Sequence, residues 1–102
     1  MLSEEQLVFI INQLFDAEKK CGDKPEFISV AKNLGRIKGI LESSAFYVHS
    51  PLGEVYNETR TDCEATILGD PDKGLVINEV LKPLIINKDT NTIIQKALVI
   101  AG

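Results

Sequence analysis

The sequence predicts an α+β protein: an antiparallel helical hairpin over residues 1–45, then a small all-β sandwich or barrel over residues 46–102. Three observations carry that expectation. Up to Leu41 apolar residues recur at the spacing of a helix face. From Phe46 onward the pattern changes to short apolar runs rich in β-branched residues, some alternating with polar ones, as strands do. Between those runs stand Ser50-Pro51, Gly69-Asp70-Pro71-Asp72-Lys73-Gly74 and Asn87 to Thr92, which have the chemistry of turns.

The first helix is expected to start at Ser3. In Ser3-Glu4-Glu5-Gln6 the hydroxyl can accept from the amide of Gln6 while the Gln6 side chain reaches back, a capping box. Glu4 and Glu5 suit the positive end of the helix dipole. Leu7, Ile10, Ile11 and Leu14 form one face, and Val8, Phe9 and Phe15 widen it beyond a single stripe. A helix apolar on more than one side needs more than one neighbour, so these four residues are the candidate dimerisation surface. Lys19, Lys20 and Gly22 mark the end. The second helix is expected from Asp23 as cap and Pro25 in the first turn, with Phe27, Val30, Ala31, Leu34, Ile37 and Leu41 at helical spacing. Gly35 and Gly39 weaken it by up to about 1 kcal/mol each and would suit a close helix contact. Two such hairpins would make a four-helix bundle.

In the β part, Phe46-Tyr47-Val48-His49 is a short strand-like run stopped before Pro51. Leu52–Asp62 is polar and reads as an extended loop. Cys63, Ala65 and Ile67 alternate with Glu64 and Thr66, as in a half-buried strand. After the turn at Asp70–Gly74, three further strands are expected: Val76–Lys82, Leu84–Ile86 and Ile93–Ile100. They are apolar on both faces in places, as a small closed sandwich or barrel requires.

Composition bounds the function. At 102 residues, with 44% hydrophobic and 25% charged, the chain fits one small folded domain. Its net charge of −4 lacks the basic stripe that a nucleic-acid surface needs to displace counterions. Met1-Leu2-Ser3-Glu4-Glu5 lacks a signal peptide's basic start, and no apolar run approaches the roughly 20 residues of a membrane span. A cytoplasmic protein with Cys21 and Cys63 as reduced thiols is expected.

Candidate chemistry is sparse. His49, the single histidine, would need an acid and a nucleophile to act as a base, and only Asp62 and Cys63 lie near it in sequence. One histidine and two distant cysteines do not have zinc-ligand spacing. Glu54, Glu58, Asp62 and Glu64 form an acidic cluster, a solvated loop or an acidic docking patch. With no glycine-rich phosphate loop, no bound nucleotide is expected. The expectation is a protein that is not an enzyme, without cofactor or metal, that binds through surface carried on loops. Arg and Tyr are enriched at binding hot spots. Residue type and expected exposure therefore select Tyr56, Arg60, Asp62 and Glu54 in the loop, and Asp72 in the following turn, as candidate partner-binding residues.

One succession of motifs goes further: Ala45-Phe46-Tyr47-Val48, Pro51-Leu52-Gly53-Glu54-Val55-Tyr56-Asn57, Ala65-Thr66-Ile67, the turn Asp70–Gly74, Val76-Ile77-Asn78-Glu79-Val80-Leu81-Lys82 and Ala97-Leu98-Val99-Ile100-Ala101. From about Leu34 onward the chain thereby resembles the GrpE family, the nucleotide exchange factors of the bacterial Hsp70 chaperone DnaK. It departs from the family at Pro83-Leu84, where the family has Gly-Tyr, and at Gln95-Lys96, where it has Arg-Pro. The family's long N-terminal paired helix has no counterpart. The resemblance implies dimerising helices and a β domain that contacts a chaperone of the Hsp70/DnaK type and promotes ADP release. The alternative is a GrpE-like interaction module or regulator without exchange activity.

Overall fold

The computed structural model describes residues 2–102, and the chain is α+β: a helical hairpin followed by β sheets that curl into a half-barrel. It divides into two compact units, one ending at Phe46, the other Tyr47–Gly102.

In the first unit, α1 spans Glu4–Cys21. Its start is the capping box: the amide of Gln6 donates to Ser3 Oγ at 3.1 Å, and the amide of Ser3 donates to Gln6 Oε1 at 2.9 Å. Its end is Gly22, whose amide donates to the Glu18 carbonyl. Asp23 does not cap the next helix. Proline confines the residue before it to extended backbone, so Lys24 is extended and a 3₁₀ turn, Pro25–Phe27, comes first. Helix α2 then covers Ile28–Ser44. The two helices pack on each other and share an ion pair, Lys38 Nζ to Glu18 Oε1 at 3.8 Å. Gly35 and Gly39 make no close contact within the chain: a Cβ built at either meets no atom within 4 Å.

The second unit is organised on one long, bent hairpin. One arm is β4 (Leu75–Lys82) and β5 (Leu84–Asn87), and the other is β6 (Thr92–Gln95) and β7 (Ala97–Ala101). β5 pairs antiparallel with β6, and β4 with β7. At the tip, Asn87 Oδ1 accepts from the amides of Asp89 and Thr90, and Asn91 takes a positive φ of 54°. The expected single strand Ile93–Ile100 is therefore two strands, divided at Lys96. The cause lies on the other arm: in the gap between the pairs Lys82–Leu98 and Ile85–Gln95, Pro83 has no N–H to continue the ladder, so both arms break there and their halves join different sheets. Gln95 Nε2 bridges the break, donating to the Pro83 carbonyl at 2.9 Å.

Three short strands dock on that hairpin. β1 (Phe46–His49) neighbours β5, giving the order β1-β5-β6. β2 (Val55–Tyr56) pairs antiparallel with β4, and β3 (Cys63–Ile67) pairs parallel with β7, giving β2-β4-β7-β3. Loop Leu52–Asp62 thus contains a two-residue strand that the polar sequence hides. The core follows from alternation on β7, where Ala97, Val99 and Ala101 point inward, and on β4 from Leu75 to Ile77, after which a register shift brings Val80 to the same side. Ile77, Ile85 and Val99 are fully buried, each contributing about 2 kcal/mol of apolar transfer.

Candidate functional site

The loop between β1 and β3 is fastened by one guanidinium. Arg60 Nε donates to Asp62 Oδ1 at 3.0 Å, and Nη2 donates to Asp62 Oδ2 at 3.0 Å and to Glu54 Oε1 at 3.1 Å. Nη1 donates to the Val55 carbonyl at 3.0 Å. The fork is two-pronged on Asp62, the geometry at which arginine is strongest. Only 18% of the Arg60 side chain is exposed. The bond to Val55 has a second effect. β2 is an edge strand, and an edge carbonyl left open invites pairing with another chain. Arg60 occupies it.

Glu54 extends the cluster to β1. Its Oε2 lies 2.6 Å from His49 Nε2. A carboxylate only accepts, so Nε2 carries the proton in this pair. The His49 hydrogen bond, with Arg60 adding to it, holds the Glu54 carboxyl below its ordinary value. The Arg60 hydrogen bonds do the same for Asp62. Asp62 in turn raises Arg60, so the guanidinium is permanently charged. Cys63 follows directly in the chain and is buried. Burial first, then the negative charge of Asp62, pushes its thiol up to about 11. A nucleophilic cysteine requires the opposite shift, and His49 hydrogen-bonds to Glu54, away from any thiol role.

Beside this cluster lies a groove of about 470 Å³. One wall is Val55, Tyr56, Asn57 and Glu58, and the other is Pro71, Asp72, Gly74 and Leu75. The walls meet because Val55 pairs with Val76 and Tyr56 with Leu75. Two glycines let the chain enter each wall: Gly53 at φ 84°, whose amide donates to the Ile77 carbonyl at 2.8 Å, and Gly74 at φ 72°. That left-handed region is strained for other residues. Local caps set the rest. The amide of Thr59 donates to Asn57 Oδ1 at 3.0 Å, and the amide of Asp72 donates to Asp70 Oδ1 at 3.0 Å.

The structure therefore brings together the two segments that residue type selected. Tyr56 and Asp72 line one groove, while Glu54, Arg60 and Asp62 form the clamp that holds the Tyr56-bearing strand. The sequence placed His49 beside Asp62 and Cys63, and its actual partner, Glu54, was the connection missed. Its signal was the five-residue separation of the two across Ser50-Pro51, a turn that returns the chain on itself. Of the helix residues, Ile11 and Leu14 are buried in the single chain, and Leu7 and Ile10 are half-buried. The large apolar residues left exposed are instead Phe9, at 64%, and Ile28, Val30, Ile37 and Ile40 on α2, the last at 70%. Among the described residues no group of His, Cys, Asp and Glu could hold a metal ion, and no helix is long and apolar enough to cross a membrane. Comparison with known protein families, curated proteins and solved structures finds no match to this chain.

Proposed function

We propose that the protein is a GrpE-like co-chaperone, a cytoplasmic homodimer that promotes ADP release from an Hsp70/DnaK-type chaperone through its β unit. The observation that carries the reading is the groove: the loop Leu52–Asp62 and the turn Asp70–Gly74, separate in sequence, offer one surface on a rigid sheet. Rigid presentation lowers the entropy cost of binding, and the Arg60 clamp supplies it. The order of helical hairpin and then β sheets agrees with the motif resemblance.

The mechanism is differential binding. An exchange factor lowers nucleotide affinity only as far as it prefers the open chaperone cleft over the closed one. Tyr56 is the contact residue in this reading, and Arg60 positions the strand that carries it. The test is stopped-flow release of a fluorescent ADP from the chaperone of the same source. Folded protein at several micromolar should accelerate release, and Tyr56→Ala should weaken the effect about thirtyfold, the loss of a central anchor worth about 2 kcal/mol. No acceleration by the wild-type protein would remove the exchange reading and leave a GrpE-like interaction module without exchange activity.

A further inference from the structure

The groove beside β2 has a charge pattern that specifies its occupant. Its floor and walls are apolar at Val55, Tyr56, Pro71 and Leu75, and its two carboxylates come from Glu58 and Asp72, one on each side. The loop's cation is withheld from them: Arg60 turns to Glu54, Asp62 and the Val55 carbonyl. Among the described residues neither Glu58 nor Asp72 makes an ion pair. Asp70 is held by its own turn, accepting from the amide of Asp72. Residues 47–102 as a whole carry eight acidic and five basic side chains. The nearest of the five in sequence, Lys73, follows Asp72 in the turn, but it is not part of the groove's lining and pairs with neither carboxylate. Val55, at 66% exposed, stands open above the groove.

An apolar trough between two uncompensated carboxylates attracts a cation carried on an apolar stem or next to an aromatic ring. The groove is too polar at its rim for an aliphatic helix face. The outward Val55 carbonyl is already taken by Arg60, which argues against strand addition at β2. We infer that the groove docks an extended segment of a partner protein in which a lysine or arginine stands next to a large apolar side chain. This rests on the co-chaperone reading only for the identity of the partner, and gives the chemistry of the chaperone segment that would be recognised.

The test is a ¹⁵N-resolved titration of the full chain with two synthetic peptides, one of alternating lysine and phenylalanine, the other of alternating glutamate and phenylalanine. The basic peptide should shift the amides of Val55, Tyr56, Asn57, Glu58, Asp72 and Gly74, and less so as salt is raised. Glu58→Gln with Asp72→Asn should weaken it roughly three- to tenfold, the loss expected of two rim charges. Glu64→Gln, which removes one carboxylate on β3 outside the groove, should leave it unaltered. Equal response to both peptides, shifts elsewhere, or no response at millimolar peptide would each overturn the assignment. The two readings fail separately: acceleration of ADP release without a groove response removes the groove and keeps the co-chaperone, and the converse removes the co-chaperone alone.

Discussion

Arg60 carries more of the site's order than any other side chain. Its bonds run to Asp62, to Glu54 and to the backbone of β2, and Glu54 passes the constraint to His49 on β1. Arg60→Ala should lower stability by about 2 kcal/mol, since charged hydrogen bonds are lost and two partly covered carboxylates are left facing each other. The same cluster sets a pH dependence. Glu54 and Asp62 are held below their ordinary values of 4.5 and 3.8 in the fold. Their contribution is thus complete above those values. It is lost as pH falls below them, because the unfolded chain takes up protons first. Urea midpoints should therefore fall as pH drops from about 5 to about 3, and fall less steeply in Arg60→Ala. Equal slopes for both proteins would show that the clamp does not govern the acid response.

At the scale of elements, α1 was legible to its cap because Ser3 and Gln6 state their bond by spacing alone. The β part was legible as strands but not as pairings. The break at Lys96 is written in Pro83, thirteen positions earlier, and becomes visible only when the hairpin register puts both in the gap between the pairs Lys82–Leu98 and Ile85–Gln95. Strand β2 is hidden because its two residues are held by β4 and by Arg60 rather than by an apolar pattern. Nor could spacing tell which apolar helix residues the single chain buries. Helix α2 has none buried among its described residues, and Val30, Ile37 and Ile40 run along one side of it. A short two-helix pair rarely holds itself together with that much apolar surface in water. A second copy would cover it. Ile40→Asp should convert a dimer to monomer in sedimentation velocity while helical circular dichroism persists, because the aspartate is exposed in the single chain. A wild-type protein that sediments only as monomer at tens of micromolar would remove the dimer.

At the scale of the whole molecule, fold and candidate site share one dependence. β1 pairs with β5, β2 with β4 and β3 with β7, so each of the three early strands takes its partner from the later hairpin. A ribosome delivers residues in the other order. While the chain is being made, at roughly 5 to 20 residues per second, the segment 46–67 emerges with nothing to pair against. It waits as exposed β-forming chain until Leu75–Ala101 can fold back on its own local turn at Asn87 to Thr92. The groove and its clamp should then appear last and together, as a single late event. A chain ended at Gln95 should accordingly lack amide-exchange protection over Cys63–Ile67 although every residue of that strand is present. Protection there comparable to the full chain would mean that the early strands organise themselves, and that the hairpin is not their template.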